Sequence, residues 1–345
     1  METILERALS EGTPVIDGEA ATFVWQGRRA PQLIGDFTDW EGGSPLTLAR
    51  IAAGLWAYTL RLPRDAYIEY AYIQGVERLP DPLNPRTLPN GVGATNHFFY
   101  MPDAAPTALA QRRRDVPHGL VTRHTVETEG LAVGSKRTVY LYQPPTIEPS
   151  PLIIVFDGQD YLRRARLTDI VDNLIAQGRI RPVALAMVSH GGRARLVEYA
   201  CNEGTVGFIL YRVLPLARAQ LNLVDVQTLP GAYGLLGASL GGLMALYTAL
   251  RAPAVFGHVL SQSGAFAFAG HDFILFDLIR DSSVKPLKVW MDVGRFEDLL
   301  SANRRLQALL AAKGYAVSYR EYNGGHNYTA WRDDVWRGLE ALLGV

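Results

Sequence analysis

The stretch GLLGASLGGLMALY, Gly234 to Tyr247, sets one serine among small residues and then runs into a helical pattern. An apolar strand before it and a helix after it put Ser239 on a sharp strand-to-helix turn. This is the G-x-S-x-G arrangement, in which a serine oxygen stands exposed at a strand end. Larger neighbours would collide with the strand or the helix, so Gly237, Ala238, Gly241 and Gly242 are the residue types such a turn requires. The amino end of the following helix favours negative charge developing beside the serine. The chemistry implied is attack on an acyl carbon.

A serine hydroxyl is a weak nucleophile until a base takes its proton. On such a sheet the chain order is serine, then acid, then histidine. Three histidines follow Ser239. His258 opens an apolar strand and reads as structural, and His271 lies in a loop or helix start close after the preceding strand. His326, in VSYREYNGGHNYTAW, follows the last strand and two glycines, and is the expected base. For the acid, PLKVWMDVGRFEDLL offers Asp292 inside a strand, and Glu297 and Asp298 just beyond it. Spacing does not separate Glu297 from Asp298. The tetrahedral intermediate needs two N–H donors. Leu240, next after the serine, is expected to give one, and Gln159, after the strand LIIVF and the turn Asp157-Gly158, the other.

Elements able to position these groups are legible in the pattern. PLIIVFDG, RPVALAMVSH, GAYGLLGAS, FGHVLSQSG and PLKVWMDVG are short apolar strands separated mostly by helix-period stretches such as SANRRLQALLAAKG. That alternation predicts a mostly parallel sheet covered by helices on both faces, with active groups at the carboxyl ends of its strands. The first hundred residues differ. ATFVWQG, PQLIGDF, GLWAYTLRL and AYIEYAYIQG are β-rich runs broken by Gly, Pro and Asp, which predict a small antiparallel, immunoglobulin-like sandwich. The expected organisation is a sandwich over residues 1–105, a linker over 106–118 and an α/β-hydrolase domain over 119–345.

Composition narrows the partners. Of 345 residues, Lys+Arg and Asp+Glu number 34 each, so a formal net charge of +0 gives no reason to expect nucleic acid or a membrane surface. The single cysteine, Cys201, excludes an intrachain disulfide. The start carries acidic residues without an apolar run and does not read as a secretory signal, so a cytoplasmic location is expected. The chemistry calls for no cofactor and no metal. The oligomeric state is not encoded in any of these features.

Several separated blocks resemble the esterase-D / enterochelin esterase family of α/β hydrolases: DGQ, RLVEYACN, GASLGGLMALY, LSQSGAF, VGRFED and EYNGGHNYTAW, in that order. Ahead of them LIGDFTDW, GLWAYTLRLP and DPLNP resemble the early-set module found before such esterases, which is related to glycogen-binding domains. The resemblance implies a serine esterase acting through an acyl-enzyme on esters of aromatic or catecholate acids. It implies Ser239 as nucleophile, His326 as base and Glu297 rather than Asp298 as acid. It also assigns Arg195 and Glu198 to substrate binding, the arginine suiting an anionic aromatic ligand, and Asp157 is a further substrate-binding candidate. A feruloyl or acetyl carbohydrate esterase is the alternative enzyme. A carbohydrate-binding protein on a hydrolase scaffold is the alternative of another class, in which Trp25, Trp40 and Trp56 would form a weak glycan platform rather than core.

Overall fold

The structure is a computed structural model describing residues 3–91 and 93–345. The chain divides into two compact units. The first comprises Met1–Pro106 together with two short segments from far along the chain, Gly294–Asp298 and Glu321–Ala330; the second comprises the rest.

The first unit holds β1 (Val15–Asp17), β2 (Ala20–Gln26), β3 (Gln32–Gly35), β4 (Leu46–Thr47), β5 (Ala49–Ala52), β6 (Leu55–Arg61), β7 (Tyr67–Gln74), β8 (Glu77–Leu79), β9 (Thr87–Pro89) and β10 (Thr95–Tyr100). They form one sheet in the order β1-β2-β6-β5 and another in the order β4-β3-β7-β10-β9, with β8 paired to β7. Alternation along β2 sends Ala21 and Phe23 inward. There Phe23 meets Tyr70 of β7 edge to face, ring centroids 4.9 Å apart, in a core shared by both sheets. The Tyr70 hydroxyl donates to Asp81 Oδ2 at 2.6 Å, and Asp81 also accepts from the Thr13 hydroxyl and from the Leu83 amide. Asp81, the acid of the DPLNP block, is therefore a buried acceptor that ties three segments of the sandwich together.

The second unit is built on β11 (Leu120–Glu127), β12 (Lys136–Gln143), β13 (Leu152–Phe156), β14 (Ala184–Val188), β15 (Tyr233–Ala238), β16 (Phe256–Gln262), the small hairpin β17 (Ala267–Phe268) and β18 (His271–Asp272), β19 (Lys288–Gly294) and β20 (Ala316–Tyr322). The large sheet has the order β11-β12-β14-β13-β15-β16-β19-β20. The β11–β12 and β12–β14 pairs are antiparallel, and the pairs from β14 through β13, β15 and β16 to β19 are parallel. Every residue of β13, β14 and β15 is buried, as a sheet covered on both faces demands. Covering helices bury one stripe each. In Leu300–Lys313 the stripe includes Ala302, Leu306 and Leu310, and Gly314 at φ 89° ends the helix in the left-handed conformation.

Two features differ from the sequence expectation. The segment expected as a linker is fastened to the second unit from Thr107 onward. Asn173 Nδ2 donates to the carbonyls of Leu109 and Gln111 at 2.7 and 2.9 Å, and the Gly119 amide donates to Asp172 at 2.9 Å. The loops after β19 and β20, expected within the hydrolase domain, belong by their contacts to the first unit. Among the described residues no helix is long and apolar enough to cross a membrane.

Asp81→Ala should leave the Tyr70 and Thr13 hydroxyls and the Leu83 amide without their acceptor. We expect a loss of about 1–3 kcal/mol of stability in denaturant unfolding, reported by the sandwich tyrosines. An unchanged midpoint would show that water replaces the carboxylate.

Candidate active site

In the second unit, β15 ends at Ala238 and a helix runs over Leu240–Arg251, with Ser239 between them at φ 59°, ψ −126°. Few non-glycine residues hold such a conformation, and it persists only where surrounding contacts enforce it. Those contacts are present. The Ser239 amide donates to the Gln262 carbonyl at 2.9 Å, and the Ser239 carbonyl accepts from the amides of Gly242, Leu243 and Ala265. A β-carbon on Gly237 would lie 2.4 Å from the carbonyl carbon and oxygen of Gly241, and one on Gly242 would lie 2.5 Å from Ser261 Oγ. The Ser239 side chain makes no capping bond to its own helix. The Leu240 amide opens that helix and has no intrahelical acceptor.

The turn after β13 lies in the same unit. Asp157, left-handed at φ 54°, precedes a helix over Gly158–Arg163, so the Gln159 amide is likewise a first-turn donor. Arg195 grips the Asp157 carboxylate with two bonds, Nε to Oδ1 at 2.8 Å and Nη2 to Oδ2 at 2.7 Å, and Nη2 also reaches the Ala238 carbonyl at 3.3 Å. A β-carbon on Gly241 would come within 3.1 Å of Asp157 Oδ2. This forked ion pair therefore braces the serine turn against the DGQ turn. Glu198 is 5% exposed, and its carboxylate accepts from the Val133 amide and from Arg137. Of the residues assigned to substrate, Asp157 and Glu198 thus engage arginines of the chain itself. His190 was not singled out by sequence. Its Nδ1 accepts from the Gly192 amide at 2.9 Å, and its Nε2 lies 2.9 Å from the side-chain Nε2 of Gln159. No spacing rule points to that residue.

Glu297 and His326 belong to the first unit. Nδ1 of His326 lies 2.7 Å from Oε2 of Glu297, whose side chain is fully buried while the imidazole is about a third exposed. The other carboxylate oxygen, Oε1, accepts from the Gly294 amide at 2.9 Å and the Tyr322 hydroxyl at 3.3 Å. The loops hold one another by backbone bonds, Arg295 N–H to the Tyr322 carbonyl at 2.9 Å and Phe296 N–H to the Gly324 carbonyl at 3.2 Å. Asp298 is exposed. A carboxylate on Nδ1 leaves Nε2 as the basic nitrogen. Tyr322 and Gly294 complete the surroundings of Glu297, and neither stands out in the sequence.

The remaining candidates have other partners. His258 sits near the start of β16, at the opposite end of that strand from Gln262, and burial lowers its pKa. His271 is exposed on β18. Asp292 is buried within β19 and accepts from the Trp290 indole at 2.8 Å. Burial, with Glu203 nearby, pushes the Cys201 thiol up to about 12, which makes it a poor nucleophile. His118, Asp169 and Asp172 come close enough to suggest a metal site. Yet the two ring nitrogens of His118 face Asp172 Oδ2 and the Arg113 carbonyl, while Arg166 holds Asp169. Each of these three groups thus has a hydrogen-bond or ion-pair partner within the chain. The indole N–H groups of Trp25, Trp40 and Trp56 are donated to Arg29, Asp36 and Gly27.

Gly237→Ala drives a methyl group into the Gly241 backbone and should part strand from helix. We expect a loss of about 1–3 kcal/mol of stability in denaturant unfolding. The rate at which a serine-directed phosphonate labels Ser239 should fall about a hundredfold, because small displacements at a reacting centre are costly. Labelling at the parental rate would show that the close approach is dispensable.

Comparison with known proteins places this geometry in a family. The Esterase family model, described as "Putative esterase", matches residues 131–342, more than half of the chain. The iron(III) enterobactin esterase of Dickeya dadantii is 26% identical over 400 residues, spanning 96% of this chain and 90% of its own. The iron(III) salmochelin esterase of Escherichia coli is 24% identical over 380 residues, spanning 95% of this chain and 88% of its own. Among solved structures, the ferric enterobactin esterase of Salmonella typhimurium shares the fold with a TM-score of 0.79 at 24% identity, over 93% of both chains. A ferulic acid esterase matches 65% of this chain and 98% of its own with a TM-score of 0.55 at 17% identity. A serine on a strained strand-to-helix turn, on a mostly parallel sheet within such a match, identifies the chain as a member of the esterase family, an enterochelin-esterase-like α/β hydrolase that cleaves carboxylic esters.

Proposed function

We propose that the chain hydrolyses esters of an aromatic, catecholate-type acid through an acyl-enzyme on Ser239. The observation that carries this reading is the backbone of Ser239, held at φ 59° by contacts whose evident result is to present a side chain that its own helix does not use. Oγ of Ser239 attacks the ester carbonyl carbon while its proton passes to Nε2 of His326. The tetrahedral oxyanion is met by the amides of Leu240 and Gln159. As the carbon–oxygen bond to the alcohol breaks, His326 returns the proton to the leaving oxygen. Water then repeats the sequence on the acyl-enzyme, with His326 again the base, and frees the acid. Glu297 holds the imidazole tautomer and stabilises the imidazolium that forms twice per cycle.

The substrate class rests on the relatives. Those with the longest matches are named iron(III) enterobactin and salmochelin esterases, and a Shigella flexneri enzyme of the same fold was solved with 2,3-dihydroxy-N-benzoyl-serine. Arg195, about a quarter exposed, supplies a planar cation beside the serine turn for an electron-rich ring. Iron, on this reading, arrives with the substrate. The sandwich is read as an early-set module in the service of the esterase, consistent with the internal use of its tryptophan N–H groups.

Ser239→Ala should fold as the parent and lose ester hydrolysis, and a phosphonate should label the parent at Ser239 alone. Equal labelling of the alanine variant would refute the nucleophile. Glu297→Gln should reduce turnover by a few powers of ten and Asp298→Asn should leave it nearly intact, since removing a triad acid spares the oxyanion donors. The reverse ranking would move the acid to Asp298. Arg195→Ala should raise KM for a catecholate ester far more than for a small acetyl ester. Equal effects on the two would assign Arg195 to bracing the turn rather than to the substrate.

A further inference from the structure

The GDFTDW stretch of the sandwich meets the histidine loop inside the first unit. After β3 the chain turns through Asp36–Thr38 and then places two successive non-glycine residues, Asp39 at φ 53° and Trp40 at φ 52°, in the left-handed conformation. Such strain needs a compensating reason. Its consequence here is to bring the Trp40 indole back onto Asp36, Nε1 to Oδ1 at 3.0 Å. The other carboxyl oxygen, Oδ2, accepts from the Glu69 amide at 2.8 Å. Asp36 is 2% exposed and fixed from two sides.

What Asp36 touches is the residue before His326. A β-carbon on Gly325 would lie 2.2 Å from both Cγ and Oδ1 of Asp36, so the Gly325 backbone rests directly on the carboxyl group. The same loop is tied to β7 by the Tyr67 amide donating to the Asn323 carbonyl at 3.0 Å, and to Asp65 by Asn323 Nδ2 at 2.7 Å. Keeping an acid here is costly. Burial, reinforced by Glu69, holds the Asp36 carboxyl well above the usual carboxylate range. A raised pKa means that the group favours the fold at low pH and opposes it as pH rises through the folded value. A carboxyl that weakens the fold at neutral pH, in a cradle that itself stores backbone strain, is explained by what rests on it.

We propose that Asp36 is a positioning residue for the catalytic histidine: clamped by the Trp40 indole and the Glu69 amide, its carboxyl group is the surface on which Gly325 packs, and it thereby sets where the backbone delivers the His326 ring. The role of His326 is that of the reading above. The positioning is tested separately from it.

The test uses the full chain and approaches the contact from both sides. Asp36→Asn keeps the shape but turns a donor toward one of the two N–H groups, and Gly325→Ala forces a methyl into the carboxyl group. Val24→Ala, in the separate small cluster with Ala8 and Val15, is the control for loss of stability alone. For both contact variants we expect kcat on a small soluble ester to fall about ten- to a hundredfold with KM within about twofold. The acid limb of the kcat/KM pH profile and the NMR resonance of the His326 Nδ1 proton should move, whereas Val24→Ala moves neither. Contact variants that behave like Val24→Ala would overturn the proposal. If Asp36→Asn fails to fold, Gly325→Ala decides by the same readouts. Should the parent prove unable to hydrolyse esters, the esterase mechanism falls, and the His326 resonance alone decides: its movement in the contact variants supports the positioning role, and its constancy refutes it.

Discussion

At the serine turn two backbones approach so closely that no side chain fits between them. Strand β15 and the helix Leu240–Arg251 meet at Gly237 and Gly241, where a single added carbon would sit 2.4 Å from the opposing carbonyl. That approach forces the intervening residue to φ 59° and leaves its hydroxyl unused by the helix. The strain is held by neighbours rather than by Ser239 itself. The Gln262 carbonyl takes its amide, the Ala265 amide takes its carbonyl, and the Arg195–Asp157 pair braces the turn through the Ala238 carbonyl. In the proposed mechanism a hydroxyl pre-set in this way needs little reorganisation when the reaction begins, which is where preorganised sites gain most of their rate.

The proposed acid and base are arranged on a different principle. Glu297 and His326 ride on loops with little regular structure of their own, so their geometry comes from a dense set of fixed bonds. Gly294 N–H and the Tyr322 hydroxyl orient the Glu297 carboxylate, and Glu297 in turn orients the imidazole. Beneath these loops lie two further buried carboxyl groups, Asp36 and Glu69. Glu69 is satisfied by the Tyr67 hydroxyl and the Asn96 amide, and Asp36 by Trp40 and the Glu69 backbone. At Asp36, burial and the neighbouring Glu69 oppose the charged form more than the two hydrogen bonds favour it. Asp39 at the edge of the group is also pushed up, by burial and then by Asp298. The sandwich thus contributes more than a separate core: it forms one compact unit with the loops that carry Glu297 and His326.

Much of the catalytic half was legible because its signals are local. Unbroken apolar runs bounded by glycine identified the parallel strands, since a strand buried on both faces leaves no polar positions. The small residues around Ser239 follow from sterics within eight residues of chain. Gln159 and Leu240 are first-turn residues of helices after strands, a pattern readable from one dimension. The sandwich was legible as alternation, though not the function of Asp81 or Asp36, because their partners lie far along the chain.

The sequence by itself therefore determined the elements, the serine turn and the order of the groups after it, all of which depend on contacts between residues a few positions apart. Tertiary structure alone decided the rest. Spacing left Glu297 and Asp298 equal; in the fold the Gly294 amide and the Tyr322 hydroxyl hold the Glu297 carboxylate inward against Nδ1 of His326 while Asp298 stands exposed, and the proposal of Glu297 as acid rests on that contact. Arg195, Asp157 and Glu198 read as a polar cluster in sequence, whereas their pairing, Arg195 with Asp157 and Glu198 with Arg137, required the fold. The segments Gly294–Asp298 and Glu321–Ala330 were assigned to the hydrolase domain by position, and the structure counts them with the sandwich. The physical reason is common to all three: a hydrogen bond or an ion pair records which groups meet in space, and a sequence orders them only along the chain.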